Sequence, residues 1–177
     1  MIVNSKLFPR MAGVLGVNGV IAAIFWAIIK FGLAKEDSLS QQVLSLTEGD
    51  PLRIQSYLEE MVGGLLMPGV IGIVVAALLA CLWLFMVDRN PPYGDQSAKA
   101  KRGSWAGYLL LALLVTGTLF YLRVIGAPLA ELVAPSIPVT VTGLALALTL
   151  IGYWLGTAIF VPSSTKVAVP GAGLLGG

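Results

Sequence analysis

The chain contains no histidine and only one cysteine, Cys81, among its 177 residues. A lone cysteine cannot form an internal disulfide or a cysteine-rich metal site. The absence of histidine removes a very common metal ligand and the side chain best suited to proton transfer at neutral pH. The sequence therefore predicts no cofactor, no metal site and no enzymatic activity.

Charged residues are also scarce. They make up 11% of the chain, against 57% hydrophobic residues, and the mean hydropathy is +0.89. A soluble domain has about 25% charged residues, which it needs to cover a water-facing surface. The net charge of +2 and the lack of a basic stripe argue against a nucleic-acid partner. This composition predicts an integral membrane protein whose surroundings are the lipid bilayer.

Four apolar runs are long enough to cross a bilayer, which takes roughly 20 residues of helix. Because lipid cannot hydrogen-bond a bare backbone, each run should be helical. The first run exceeds the roughly 7–15 apolar residues of a signal peptide, so we expect it to be retained. We predict one all-α membrane domain over residues 1–177, with spans at about 11–34, 64–87, 104–125 and 139–161.

The basic residues predict an orientation. With four spans, the two termini and the 88–103 loop lie on one side, and that side carries seven of the 11 lysines and arginines. The positive-inside rule then places both termini and the 88–103 loop in the cytoplasm. We expect the membrane to be a bacterial inner membrane. Three tryptophans toward span ends are expected at the level of the lipid headgroups: Trp26, Trp105 and Trp154.

The loop at 35–63 is the longest external segment. Asp50-Pro51 is a typical helix start, and an apolar stripe at helical spacing follows it, formed by Ile54, Tyr57, Leu58 and Met61. We expect two short amphipathic helices here, which fold onto the bundle or contact a partner. We also expect Gly63-Gly64 and Pro68-Gly69 to bend or delay the second span.

The C-terminal tail, 162–177, is rich in glycine and proline, which argues against a helix. It is either flexible or ordered by a partner, and Pro170 is its candidate contact. Small residues four positions apart also recur in the spans, where they let helix backbones approach closely. These pairs suit packing within the bundle or against another subunit: Gly103/Gly107, Gly143/Ala147 and Gly152/Gly156.

Asn18 is the one amide within a span, and we interpret it first as a packing residue that bonds a neighbouring helix. No ionisable residue lies near the middle of any span, which argues against an ion-coupled carrier. The leading hypothesis is a non-catalytic subunit of a larger membrane complex, of the secretion, conjugation, respiratory or photosynthetic type. Its partners would be other membrane subunits, in a hetero- or homo-oligomer.

Two other functions stay open. A small homo-oligomeric channel or carrier for a neutral solute would use Asn18 and the threonines of the spans to line its path. An enzyme acting on lipid would need an acid–base pair at the interface. The sequence offers only poor candidates for that pair, Asp88, Asp95 and Glu131.

Overall fold

The computed structural model describes residues 6–125 and 128–174, with the backbone alone at Asp95. Over these residues it contains helices and turns but no strand. The α-helices are α1 (Leu7–Ala27), α2 (Gln41–Thr47), α3 (Pro51–Arg89), α4 (Gly94–Phe120), α5 (Leu129–Leu132) and α6 (Ser136–Phe160). A π-helical turn extends α1 over Ile28–Leu33 and α4 over Tyr121–Ile125. Short 3-10 turns occupy Glu36–Ser38, Ser163–Ala168 and Ala172–Leu174.

Four helical segments are long and apolar enough to span a membrane, which confirms the predicted membrane protein with four candidate spans. They are Leu7–Leu33, Pro51–Arg89, Gln96–Ile125 and Ser136–Phe160. The apolar windows of the second and fourth are 50% and 39% buried, against 28% and 22% for the first and third. Helices α3 and α6 therefore form the centre of the bundle, and α1 and α4 flank it.

Helix α3 differs from its predicted form. It runs unbroken from Pro51 to Arg89, so the predicted second amphipathic helix is the first part of the span itself. Neither Gly64 nor Gly69 interrupts it. Leu129 packs against Gly64, and the Phe25 ring packs against Gly69. These glycines admit neighbouring side chains, and the helix continues through Pro68, which donates no backbone hydrogen bond.

The polar segment between the second and third spans is also shorter than predicted. Helix α3 ends at Arg89 and α4 begins at Gly94, so most of the predicted 88–103 loop is helical. The turn is confined to residues 90–93, where Pro91 and Pro92 cannot donate a backbone bond. Gly94 starts α4 with a φ of 81°, a left-handed conformation that glycine adopts readily.

The connections at 34–50 and 128–135 join at one end of the bundle, which we call the cap end. The Ser40 amide donates to the Leu132 carbonyl at 2.9 Å, and the Ala134 amide donates to the Ser38 carbonyl at 3.0 Å. The Ser40 side chain caps α2 by accepting from the Val43 amide. These two backbone hydrogen bonds therefore hold the 34–50 and 128–135 connections together at the cap end.

The tail lies at the opposite end of the bundle, which we call the tail end. Its residues from Ser163 to Leu174 include two 3-10 turns, although the sequence predicted no helix there. Thr165, Ala168, Val169 and Ala172 are buried. The short apolar residues between the prolines and glycines allow the tail to pack on the bundle, and residues 175–177 of the predicted tail lie outside the described part of the chain.

Candidate functional site

Asn18 and the Gly152/Gly156 pair meet where α1 crosses α6. The Asn18 Nδ2 donates to the Val14 carbonyl at 2.9 Å and to the Gly152 carbonyl at 3.3 Å. A methyl group at Gly152 would overlap Asn18 Oδ1, and one at Gly156 would lie 3.2 Å from Val14 Cγ1. We call this contact the glycine joint. The two glycines let the helix backbones approach until the amide can bond across them.

Asn18 is enclosed in the glycine joint, with only 2% of its surface exposed. Its Oδ1 has no hydrogen-bond partner. The α6 backbone carbonyl that Asn18 contacts is an acceptor, so it can satisfy the amide NH2 group but not the oxygen. The geometry is that of an interhelical packing contact.

The Gly103/Gly107 pair has opposite surroundings. Both glycines are exposed, and a methyl group at either position would meet no atom within 4 Å. The same face of α4 continues at spacings of four and three residues, as in a helix-packing seam. We call this face the open seam. It consists of Gly103, Gly107, Leu110, Leu114 and Gly117 of α4, with Tyr121 of the π-helical turn that extends it.

A groove of about 610 Å³ runs between the open seam and α6. Ala147 and Leu150 line its α6 side, while Leu110, Leu114 and Gly117 line the α4 side. Gly143 lies one helical turn before Ala147, is exposed, and has open space where a side chain would lie. The second predicted pair, Gly143/Ala147, therefore extends the same apolar surface.

The apolar stripe of the predicted external loop faces the bundle. Met61 is fully buried, and Ile54, Tyr57 and Leu58 are partly buried against the same core cluster. Asp50 caps this end of α3 by accepting from the Leu52 amide at 3.0 Å. The four residues therefore pack on the chain's own core at the cap end, and their contact with a partner stays a prediction.

Pro170 lies in the C-terminal tail, and side chains of α6 and α4 hydrogen-bond this tail to the bundle. The Trp154 indole donates to the Pro170 carbonyl at 2.7 Å, and the Arg102 guanidinium donates to the Val167 carbonyl at 3.1 Å. Pro170 itself is exposed. Sequence reasoning placed Trp154 at the headgroup level and missed its role in fixing the tail.

Trp105 has an interior role that sequence reasoning also missed. It is 6% exposed, and its indole donates to Thr157 Oγ1 at 2.9 Å. The Tyr153 hydroxyl donates to the Trp105 carbonyl at 3.0 Å. One side chain–side chain bond and one side chain–backbone bond thus join α4 to α6, because each buried polar group needs a partner in apolar surroundings.

Of the three carboxylates considered for lipid chemistry, Asp88 and Glu131 lie at opposite ends of the bundle. Asp88 lies at the tail end, 3.8 Å from Arg10 Nη1, whereas Glu131 lies in α5 at the cap end. The side chain of Asp95 lies outside the described atoms. Within residues 6–125 and 128–174, no group of three histidine, cysteine or carboxylate side chains could hold a metal ion.

No protein-family model matches this chain, and no curated protein or solved structure matches it.

Proposed function

We propose that this protein is a non-catalytic subunit of a larger complex in a bacterial inner membrane. The observation that carries the proposal is the contrast between the glycine joint, which the chain's own helices fill, and the open seam, which they leave unfilled. Glycine lowers helix stability by about 1 kcal/mol relative to alanine. Packing within the chain gives no reason for Gly103, Gly107 and Gly143. These glycines differ from the equally exposed Gly19 of α1 because they adjoin the apolar surface of the groove between α4 and α6.

The proposed mechanism is structural. A transmembrane helix of a neighbouring subunit lies along the open seam and reaches the groove beside Ala147. Gly103 and Gly107 allow the backbone of the neighbouring helix to approach α4 closely, and the leucines further along α4 interdigitate with that helix. In this view the protein fixes the position of other subunits, in an assembly of the secretion, conjugation, respiratory or photosynthetic type.

Cysteine crosslinking in native membranes tests the proposal. Cys81 is the only cysteine and is buried, so Cys81→Ala provides a cysteine-free background. Single cysteines at Gly107 and Gly143 report on the open seam and its neighbour. Gly19→Cys is the matched control, because Gly19 is an exposed glycine of α1 with nothing within 4 Å of its side-chain position.

We expect a short bifunctional reagent to link the Gly107 and Gly143 variants to a defined second polypeptide, and to leave the Gly19 variant unlinked. No crosslink from the Gly107 or the Gly143 variant, or equal crosslinking from the Gly19 variant, would contradict the proposal. Crosslinks exclusively between copies of this chain would favour the homo-oligomeric channel or carrier. The enclosed position of Asn18 gives that alternative no support at present.

A further inference from the structure

A cavity of about 420 Å³ lies at the cap end, between the end of α1 with its π-helical extension and the first part of α3. We call it the cap-end pocket, and its lining includes Trp26, Lys30, Gln55, Glu59, Val62 and Leu66. Small-molecule sites have volumes of about 300–1,000 Å³. The cap-end pocket shares no residue with the groove beside the open seam, so its occupant is independent of the proposed subunit contact.

The polar and apolar residues of the cap-end pocket are separated along the bundle. Helix α3 begins at the cap end, so Gln55 and Glu59 lie nearer that end, and Val62 and Leu66 lie deeper along the span. Lys30 lies near the end of the first candidate span, at the same polar end of the pocket. A molecule with a polar head and an apolar chain fits this order.

The cap-end pocket contains one cation and one carboxylate, and both side chains are exposed. Lys30 Nζ lies 5.2 Å from the centroid of the Trp26 ring. Glu59 Oε1 accepts from Gln55 Nε2 at 3.1 Å. The ring and the amide are neutral, and among the described residues neither Lys30 nor Glu59 forms an ion pair. Both charges are therefore available to a ligand.

These two charges select a zwitterionic head. An ammonium group binds phosphate oxygens, and a carboxylate accepts hydrogen bonds from an ammonium group. A purely anionic head would meet the Glu59 carboxylate, and a purely cationic head would meet Lys30. A choline head has no N–H group, whereas an ethanolamine head can donate hydrogen bonds to Glu59 and to the carbonyl oxygen of the Gln55 amide.

We propose that the cap-end pocket binds a phospholipid with an ethanolamine head. Lys30 binds the phosphate, and Glu59 accepts hydrogen bonds from the lipid ammonium. The Trp26 ring holds Lys30 at the level of the headgroups, where tryptophan is typically found. One acyl chain runs inward along Val62 and Leu66, which form part of the apolar wall.

Native mass spectrometry of the full chain in detergent tests the proposal. Phosphatidylethanolamine, phosphatidylcholine and phosphatidylglycerol with identical acyl chains are titrated separately, and the bound fraction gives an apparent Kd for each. We expect phosphatidylethanolamine to bind about threefold or more tightly than phosphatidylcholine, because choline cannot donate to Glu59. Lys30→Gln should raise the apparent Kd for phosphatidylethanolamine about tenfold, because a hydrogen bond to a charged group is lost.

Glu59→Gln should change which lipid is preferred. It removes the carboxylate and nearly keeps the shape of the side chain, so Lys30 becomes the one charged residue of the lining. Binding of phosphatidylethanolamine should weaken about tenfold, and phosphatidylglycerol should bind more tightly than it does to the wild type. Lys35→Gln and Glu60→Gln are the matched controls, because both residues are exposed and lie outside the pocket lining.

A preference for phosphatidylethanolamine that is lost in both pocket variants and kept in both controls supports the proposal. The proposal is overturned if no lipid binds saturably, or if phosphatidylcholine or phosphatidylglycerol binds the wild type as tightly. Equal weakening by the control variants, or an unchanged affinity of Glu59→Gln for phosphatidylglycerol, would also overturn it. Should Glu59→Gln fail to fold, Glu59→Ala takes its place with the same required change.

Discussion

Gly152/Gly156 and Gly103/Gly107 share one spacing but have opposite surroundings. The first pair lies in the glycine joint, where Asn18 and Val14 of α1 occupy the space above it. The second pair lies on the open seam, with no atom within 4 Å of either side-chain position. The comparison teaches that the small-residue motif specifies close approach and leaves open whether the approaching helix belongs to the same chain.

The largest expected effect comes from Gly152→Ala. The added methyl group overlaps Asn18 Oδ1, and moving the amide away breaks its bond to the Gly152 carbonyl. Overpacking of this kind costs about 1–3 kcal/mol. Thermal or denaturant unfolding in detergent measures the loss. Unchanged stability would show that α1 and α6 are not held at this distance.

Asn18→Leu should have the next largest effect, because it removes an interhelical hydrogen bond while keeping a similar volume. Such bonds contribute roughly 0.6–2 kcal/mol in membrane proteins. We expect a value at the lower end, since the substitution also removes the Oδ1 that has no partner. The same unfolding measurement checks this. A stability loss well above this range would mean that Asn18 has partners beyond α1 and α6.

The double variant Asn18→Ala/Gly152→Ala sharpens the comparison. Once the amide is removed, the methyl group at position 152 loses its principal obstacle, so the cost of Gly152→Ala should fall in that background. Additive losses in the double variant would show that Asn18 and Gly152 do not interact directly.

Trp154→Phe should weaken the hold on the tail, because it removes the 2.7 Å bond to the Pro170 carbonyl. A hydrogen bond of this kind contributes about 0.5–1.5 kcal/mol. We expect trypsin to cleave faster after Lys166, and gel electrophoresis of timed samples measures the cleavage rate. Trp26→Phe is the control, since Trp26 lies on α1. Equal cleavage rates in the two variants would indicate that something other than the Trp154 bond orders the tail.

The smallest expected effect is a gain. Gly107→Ala meets no neighbouring atom, so it should stabilise the isolated chain by about 0.5–1 kcal/mol through helix propensity alone. The sign is opposite to that of Gly152→Ala, and the same unfolding assay measures both. A loss of stability at Gly107 would place another part of this chain against the open seam.

The four spans were predictable because they depend on local composition and length. The contacts at the glycines of α3 were not, since Phe25 and Leu129 reach Gly69 and Gly64 from distant parts of the sequence. Likewise, the sequence marked Asn18 and Gly152 as packing residues separately, but their contact joins positions 134 residues apart. Local pattern identified which residues pack, and only tertiary structure identified what they pack against.

The Trp105–Thr157 and Trp154–Pro170 bonds illustrate the same limit. A tryptophan near a span end is typical of the membrane interface, so the position of Trp105 or Trp154 in the sequence gave no sign of a partner inside the protein. Met61 shows the converse, because the sequence offered the bundle as one of two surfaces that its stripe could contact, and Met61 is buried in the chain's own core.

The central claim is that the open seam contacts another membrane subunit. The most direct test extracts the protein from the native membrane in gentle detergent and identifies the co-purifying polypeptides by mass spectrometry. It compares the wild type with Gly107→Leu and with the control Gly19→Leu. We predict defined companions for the wild type and Gly19→Leu, and their loss in Gly107→Leu without loss of the folded chain. A lone monomer from wild-type membranes, or companions that persist in Gly107→Leu, would contradict the account.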